Sequence, residues 1–333
     1  MSWPRRALSQ PDLAERLLGR SRDAVPEALN LADDRRPEQR ARARALLDRL
    51  ERESPFPGPP RVGITGAPGS GKSSLLDAMA RALRARGETL AIVAVDPSSR
   101  ASGGALLGDR IRVRSAGSDP GVFFRSMAAR ERLGGISDAA RAGVAILAPV
   151  FDHVFVETVG VGQSESDVTS IVDTLAYVAS PGGGDVLQFI KAGLIELPDV
   201  FAVNKADLGE AAANTAHELA GALELGGREA FGWKPPVLLV SARDGTGVDR
   251  LLETIRAHRE HQLASGALRA RREVGREDGV LAQLAERYGS HGLAQLGGAD
   301  GARARVRQSQ SATSFALVEA LGAEIEASLR RSR

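Results

Sequence analysis

Between Leu13 and Arg52 the apolar residues fall at helical spacing, Leu13 with Leu17, then Leu46 and Leu47 with Leu50, in a stretch otherwise rich in Arg and Ala. This pattern predicts helix. It stops at Ser54-Pro55-Phe56-Pro57-Gly58-Pro59-Pro60, where the prolines remove backbone donors and break any helix. From Arg61 to about His261 short β-rich runs alternate with helical stretches: Val62 to Thr65, Leu90 to Val95, Val154 to Val156, Leu175 to Ala179, Val200 to Val203 and Val237 to Val240. That alternation predicts an α/β fold, a mostly parallel sheet with helices on both faces and a site at one edge, where the strands end. Beyond Leu263 no strand pattern remains. Leu281, Leu284 and Tyr288, then Val318, Leu321, Ile325 and Leu329, form helical stripes that can pack on the parent domain or on a second copy. The run Arg303 to Arg307 reads as a solvated linker. The organisation expected is an N-terminal helical extension at residues 1–55, a central domain at 56–262 and a C-terminal helical arm at 263–333.

Composition narrows the classes. With 43% hydrophobic and 26% charged residues among 333, the chain is neither disordered nor collagen-like. Lys plus Arg total 44 against 42 for Asp plus Glu, so a formal charge of +2 argues against a dedicated nucleic-acid partner. No apolar run approaches the roughly 18 to 20 residues that cross a bilayer, so no membrane association is expected. Arg5 and Arg6 have no apolar segment behind them, and Asp12 and Glu15 follow, which suits neither a secretory signal nor an acid-poor transit peptide. The reading is cytoplasmic. Cysteine is absent, which removes thiolate metal sites, disulfides and a Cys nucleophile. Lysine occurs only at Lys72, Lys191, Lys205 and Lys234, so positions that keep it in an Arg-rich chain carry information.

Directly after the first predicted strand stands Gly66-Ala67-Pro68-Gly69-Ser70-Gly71-Lys72-Ser73, a complete G-x-x-x-x-G-K-[ST] pattern, followed by Ser74 and a helical run to Arg86. Glycines let the backbone turn its N–H groups onto a phosphate, and the helix N-terminus adds about half a positive charge. Lys72 is expected to reach the β- and γ-phosphates of a nucleotide, and the Ser73 hydroxyl to hold Mg²⁺. This makes the central domain a P-loop NTPase.

The strand Asp199 to Val203 runs into Asn204-Lys205-Ala206-Asp207, an N-K-x-D sequence. A carboxylate at Asp207 can accept the N1 and N2 protons of guanine, whereas adenine offers an acceptor at N1 and no N2 amine. A site built for one hydrogen-bond pattern rejects the base that lacks it. Ser241-Ala242, at the end of the last predicted strand, is expected to turn a backbone N–H toward the guanine oxygen. The nucleotide implied is GTP.

Three acids can serve catalysis and Mg²⁺: Asp96 at a strand end, Asp109 in the loop Gly103 to Asp109, and Glu157 at the end of the third strand. Gly160, three residues on, can offer its N–H to the γ-phosphate and move when that phosphate leaves. Which acid orients the attacking water stays open. Arg100, Arg110 and Arg112 can approach the phosphates, and slow intrinsic hydrolysis accelerated by a partner is expected.

Together with Val95-Asp96-Pro97-Ser98-Ser99, Leu107-Gly108-Asp109-Arg110, Leu133-Gly134-Gly135 and Glu157-Thr158-Val159-Gly160-Val161-Gly162-Gln163-Ser164-Glu165, these motifs resemble the MeaB and ArgK family of P-loop GTPases from about Leu13 through the tail. The resemblance implies a G-protein chaperone of an adenosylcobalamin-dependent acyl-CoA mutase, methylmalonyl-CoA mutase being the usual example. Its GTP hydrolysis would gate cofactor loading and protect or reactivate the mutase. It further implies a homodimer through the C-terminal arm. Pro181-Gly182-Gly183-Gly184-Asp185, with Gln188 and Lys191, would be a switch loop signalling to the partner. That loop departs from the family at Val186, Phe189 and Ala192, which bears on the partner surface rather than on nucleotide chemistry. Two other readings are a kinase of the lysine, arginine and ornithine transport system and a nickel or zinc metallochaperone GTPase. The second needs clustered Cys and His, and here the five histidines are scattered, with His258 and His261 read as solvated.

Overall fold

The structure is a computed structural model that describes residues 12–34, 36–96, 119–128, 138–158, 167–182, 194–226, 232–309 and 312–331. Among the described residues three helices come first: α1 (Leu13–Leu18), α2 (Ala24–Asp33) and α3 (Pro37–Glu53). Asp12 and Glu15 close a capping box on α1, each side chain accepting the other's backbone N–H. Pro37 opens α3, where its missing N–H costs nothing, and the helix buries Ala43, Leu46, Leu47 and Leu50.

The described residues then hold seven strands: β1 (Arg61–Thr65), β2 (Leu90–Asp96), β3 (Val122–Ala128), β4 (His153–Thr158), β5 (Thr174–Ala179), β6 (Val200–Val203) and β7 (Val237–Leu239). They form one sheet in the order β3-β2-β4-β1-β5-β6-β7, and every neighbouring pair is parallel. Parallel pairing needs crossovers, and α4 (Lys72–Ala85), α5 (Asp138–Leu147), α6 (Glu210–Gly226) and α7 (Val248–Ser265) lie on these connections or after the last strand.

Successive residues of each strand face opposite layers. Val62, Ile64 and Phe155 meet Leu75, Leu76, Met79 and Leu83 of α4 and Leu251 and Ile255 of α7. Ala91, Val93, Val154 and Val156 meet Val144 and Leu147 of α5, and the same cluster takes in Leu29 of α2 and Leu46 and Leu50 of α3. The helical preface therefore completes one face of the sheet. No helix among the described residues is long and apolar enough to cross a membrane.

The chain ends in α8 (Ala267–Ala294), α9 (Gly298–Gln308) and α10 (Ser314–Arg331). Their stripes close on one another within the chain: Val280, Leu281 and Leu284 pack with Ala302, Val306, Val318, Leu321 and Ile325.

Three expectations are corrected here. Strand β3 is absent from the six runs expected as strands; among the described residues it pairs only with β2, at the sheet edge. Arg303 to Arg307 is no linker but the last turns of α9, with Arg303 paired to Asp278, Arg305 to Glu324 and Arg307 to Glu277. His258 is not solvated: it is 3% exposed, and its ring lies 4.8 Å from that of Trp233.

Candidate functional site

At the C-terminal end of β1 the chain turns through Gly66 to Gly71 into α4, with Ala67, Pro68, Gly69 and Ser70 forming the loop between them. Gly66 (φ 142°) leaves no room for a methyl group, which would overlap the Val178 carbonyl of β5. Gly71 is left-handed (φ 87°), and a side chain there would strike the Asn204 amide. Lys72, 8% exposed, folds back over the loop and donates from Nζ to the carbonyls of Gly66 (2.7 Å) and Ala67 (3.0 Å). Lys72, Ser73 and Ser74 form the first turn of α4, whose N–H groups have no acceptor within the helix itself.

The Ser73 hydroxyl donates to Glu157 Oε1 at 2.7 Å, joining α4 to the end of β4. Beneath them Thr158 and Thr65 share a buried hydrogen bond of 3.0 Å between adjacent strand ends. Ser73 and Glu157 thus present hard oxygen atoms at the helix N-terminus, a donor set that fits Mg²⁺ with waters and phosphate oxygens completing the shell. Asp96 is the last residue of β2, two strands from β1 and on the same sheet edge. Asp109, Gly160, Asp185, Gln188 and Lys191 lie outside the described residues.

The N-K-x-D segment stands beside the phosphate loop. Asn204 donates from Nδ2 to the Ser70 carbonyl (2.9 Å), while its Oδ1 accepts the Ala242 N–H (3.1 Å). The Ala242 donor expected to face a guanine oxygen is therefore engaged with Asn204. Lys205, left-handed at φ 62°, donates from Nζ to the Gly69 carbonyl at 2.9 Å. Asp207 accepts from Ser241 Oγ at 2.9 Å, and Arg243 approaches its other oxygen at 3.5 Å. The carboxylate is thereby held in one orientation, one edge bonded and the other beside a cation.

Arg243 was not anticipated from the sequence; its only signal there is its place directly after Ser241-Ala242. The structure brings together Gly66 to Ser74, Glu157, Asn204, Lys205, Asp207, Ser241 and Ala242, drawn from four strand ends.

A family model described as methylmalonyl Co-A mutase-associated GTPase MeaB matches residues 25–294. The chain belongs to this family of P-loop GTPases. A relative in Pyrococcus horikoshii that carries a GTPase name is 43% identical over 278 residues, covering 82% of this chain and 85% of that one. The GTPase ArgK of Escherichia coli is 36% identical, covering 85% and 87%. The mouse methylmalonic aciduria type A homolog is also 36% identical, covering 76% of this chain and 64% of its own length. Among solved structures, a LAO/AO transport system kinase superposes with a TM-score of 0.69 at 29% identity, covering 85% of each chain. Both the sheet and the phosphate loop follow the family's P-loop plan.

Proposed function

We propose that the chain is a Mg²⁺-dependent GTPase that serves as chaperone to an adenosylcobalamin-dependent acyl-CoA mutase of the methylmalonyl-CoA type. Hydrolysis gates cofactor loading and protects or reactivates the mutase. The observation that carries the nucleotide half of this reading is the bond from Asn204 to the Ser70 carbonyl, which joins a base-reading segment to a phosphate-binding loop. The partner half is supported by the family's description and by the name of the mouse relative.

In this reading Lys72 exchanges its two carbonyl partners for the β- and γ-phosphates as nucleotide enters. Asp207, braced by Ser241, accepts the N1 and N2 protons of guanine. Ser73 and Glu157, with Asp96 and Asp109, hold the Mg²⁺, which when bound neutralises charge on the β- and γ-phosphate oxygens. Gly160 reports the γ-phosphate, and Asp185, Gln188 and Lys191 pass the nucleotide state to the partner. The reading keeps the division into an extension at 1–55, a GTPase domain at 56–262 and an arm at 263–333. A homodimer through that arm would use surface outside the stripes already packed within the chain; among the described residues Leu263 and Val274 are the exposed large apolar side chains there. The chain acts in the cytoplasm.

The test is phosphate release from GTP by the purified chain, alone and with an adenosylcobalamin-dependent acyl-CoA mutase from the same source, with ATP as control. A slow, GTP-selective activity stimulated by the mutase is expected. Turnover indifferent to every such mutase would overturn the chaperone role and leave the GTPase. The name of the solved relative favours one second reading, a transport-system kinase. Radiolabel from the γ-phosphate appearing on protein rather than as free phosphate would select it.

A further inference from the structure

At the sheet edge opposite the phosphate loop, where β1 and β5 begin, the linker 54–60, the end of α3 and helix α8 enclose a cavity of about 890 Å³. Eight arginines and four carboxylates line it, so the wall carries an excess of positive charge. Most of the carboxylate capacity is already used. Asp173, 1% exposed, takes both arms of Arg272 at 2.8 Å, Arg259 at 3.2 Å and the backbone N–H of Arg61 at 3.1 Å. Arg20 is held by Asp152 at 2.5 Å, and Arg271 by Asp199 at 2.9 Å.

Three guanidinium groups make no carboxylate ion pair among the described residues. Arg61 makes no side-chain hydrogen bond or ion pair there, and its Nε is buried. Its burial and the neighbouring Arg272 charge push it down to about 10, against the pull of Asp173 and Glu51. Arg269 lies over the Phe56 ring at 4.5 Å and has no acidic partner. Arg276 donates only to the main-chain carbonyls of Ser309 and Ala312, and its Nε is buried and unpaired. A buried guanidinium nitrogen without a partner is costly to the fold, and Arg61 and Arg276 each hold one at this cavity. With the exposed Arg269 at its mouth they create a strong demand for anion.

We propose that this cavity binds a small polyanion bearing phosphate groups, held by Arg61, Arg269 and Arg276. Guanidinium forks match phosphate oxygens two at a time, and three forks exceed what one carboxylate can satisfy, whereas a diphosphate offers enough acceptors. The ligand would touch the helical preface, the first strand and α8 together, and so would tie the terminal helices to the sheet at a point remote from the nucleotide.

The test keeps the phosphate loop filled. The full chain saturated with GDP and Mg²⁺ is titrated with pyrophosphate, and in parallel with citrate, by calorimetry and by thermal unfolding. Saturable one-to-one binding of pyrophosphate, tighter than that of citrate, is expected, with a rise in Tm. Arg269→Gln, an exposed position, should weaken it by about tenfold without changing GDP affinity. Arg61→Gln should abolish the response to pyrophosphate while leaving the Tm of the ligand-free chain equal or higher, because an unpaired buried charge has been removed. The proposal is overturned by non-saturable binding, by a preference for citrate, by variants that bind as the parent does, or by an Arg61→Gln chain that is less stable than the parent.

Discussion

The Asn204 amide donates to the Ser70 carbonyl at 2.9 Å, so the N-K-x-D segment and the P-loop are bonded across 134 residues of sequence. The same side chain accepts the Ala242 N–H, so three loops meet on one amide. Replacing Asn204 by Ala removes both bonds and leaves the Ser70 carbonyl short of a buried donor, at a cost of about 1 to 3 kcal/mol. GTP and GDP affinity are both expected to fall about tenfold or more, by calorimetry, with little change in the ratio of the two. Unaltered affinity would show that the bond has no part in shaping the pocket.

In the proposed reading Asp207 selects the base with two accepting oxygens, one of them held by Ser241 Oγ. Asp207→Asn substitutes a donor for one acceptor, which suits the carbonyl at C2 of xanthine in place of the guanine amine. Competition binding is expected to show a switch in preference from GTP to XTP. If the variant still prefers GTP, guanine is read elsewhere.

Glu157→Gln keeps the side chain's size and its capacity to accept from Ser73 Oγ, yet removes the negative charge. The Mg²⁺ concentration for half-maximal GTP turnover should rise by about tenfold. An unchanged Mg²⁺ requirement, read from phosphate release, would take Glu157 out of the metal shell.

His258 carries a pH dependence. Burial pushes its imidazole down to about 4; Asp199 and Asp173 oppose this, while Arg271 and His261 add to it. The folded value lies below the unfolded one, so on acidification the unfolded chain takes up the proton first. The associated stability is complete above about pH 6.5 and drains away toward pH 4, an effect on the order of 3 kcal/mol. Urea unfolding between pH 7.5 and 4.5 should show a steeper loss in the parent than in His258→Gln. Parallel curves would assign the acid sensitivity to other groups.

What could be read from the chain alone divides by the range of the interaction. Gly66 to Ser73 is a local pattern whose chemistry is complete within eight residues, and the strand before it and helix after it follow from neighbouring periodicity. Strand β3 was missed because only Val122, Phe123 and Phe124 read as strand before Arg125 and Ser126 interrupt, and as an edge it needs one apolar face at most. Arg303 to Arg307 reads as a charged linker because its partners Glu277, Asp278 and Glu324 are 19 to 30 residues away in sequence. Burial of His258 depends on Trp233 and Thr174, which no spacing rule connects to it. The phosphate loop's link to Asn204 belongs to the same class: both motifs were legible, their bond was not.

Strand β1, which launches the phosphate loop, has no sequence neighbour in the sheet: its partners are β4, beginning at His153, and β5, beginning at Thr174. A chain made from its N-terminus therefore produces the loop early and gives it no flanking strand until about ninety residues later, with the Asn204 clasp later still. Pairings of this kind delay folding, because the intervening chain must be ordered before any contact rewards it. The newly made polypeptide thus passes through a long interval in which the loop's sequence is present and the strands and the clasp that fix its shape are not.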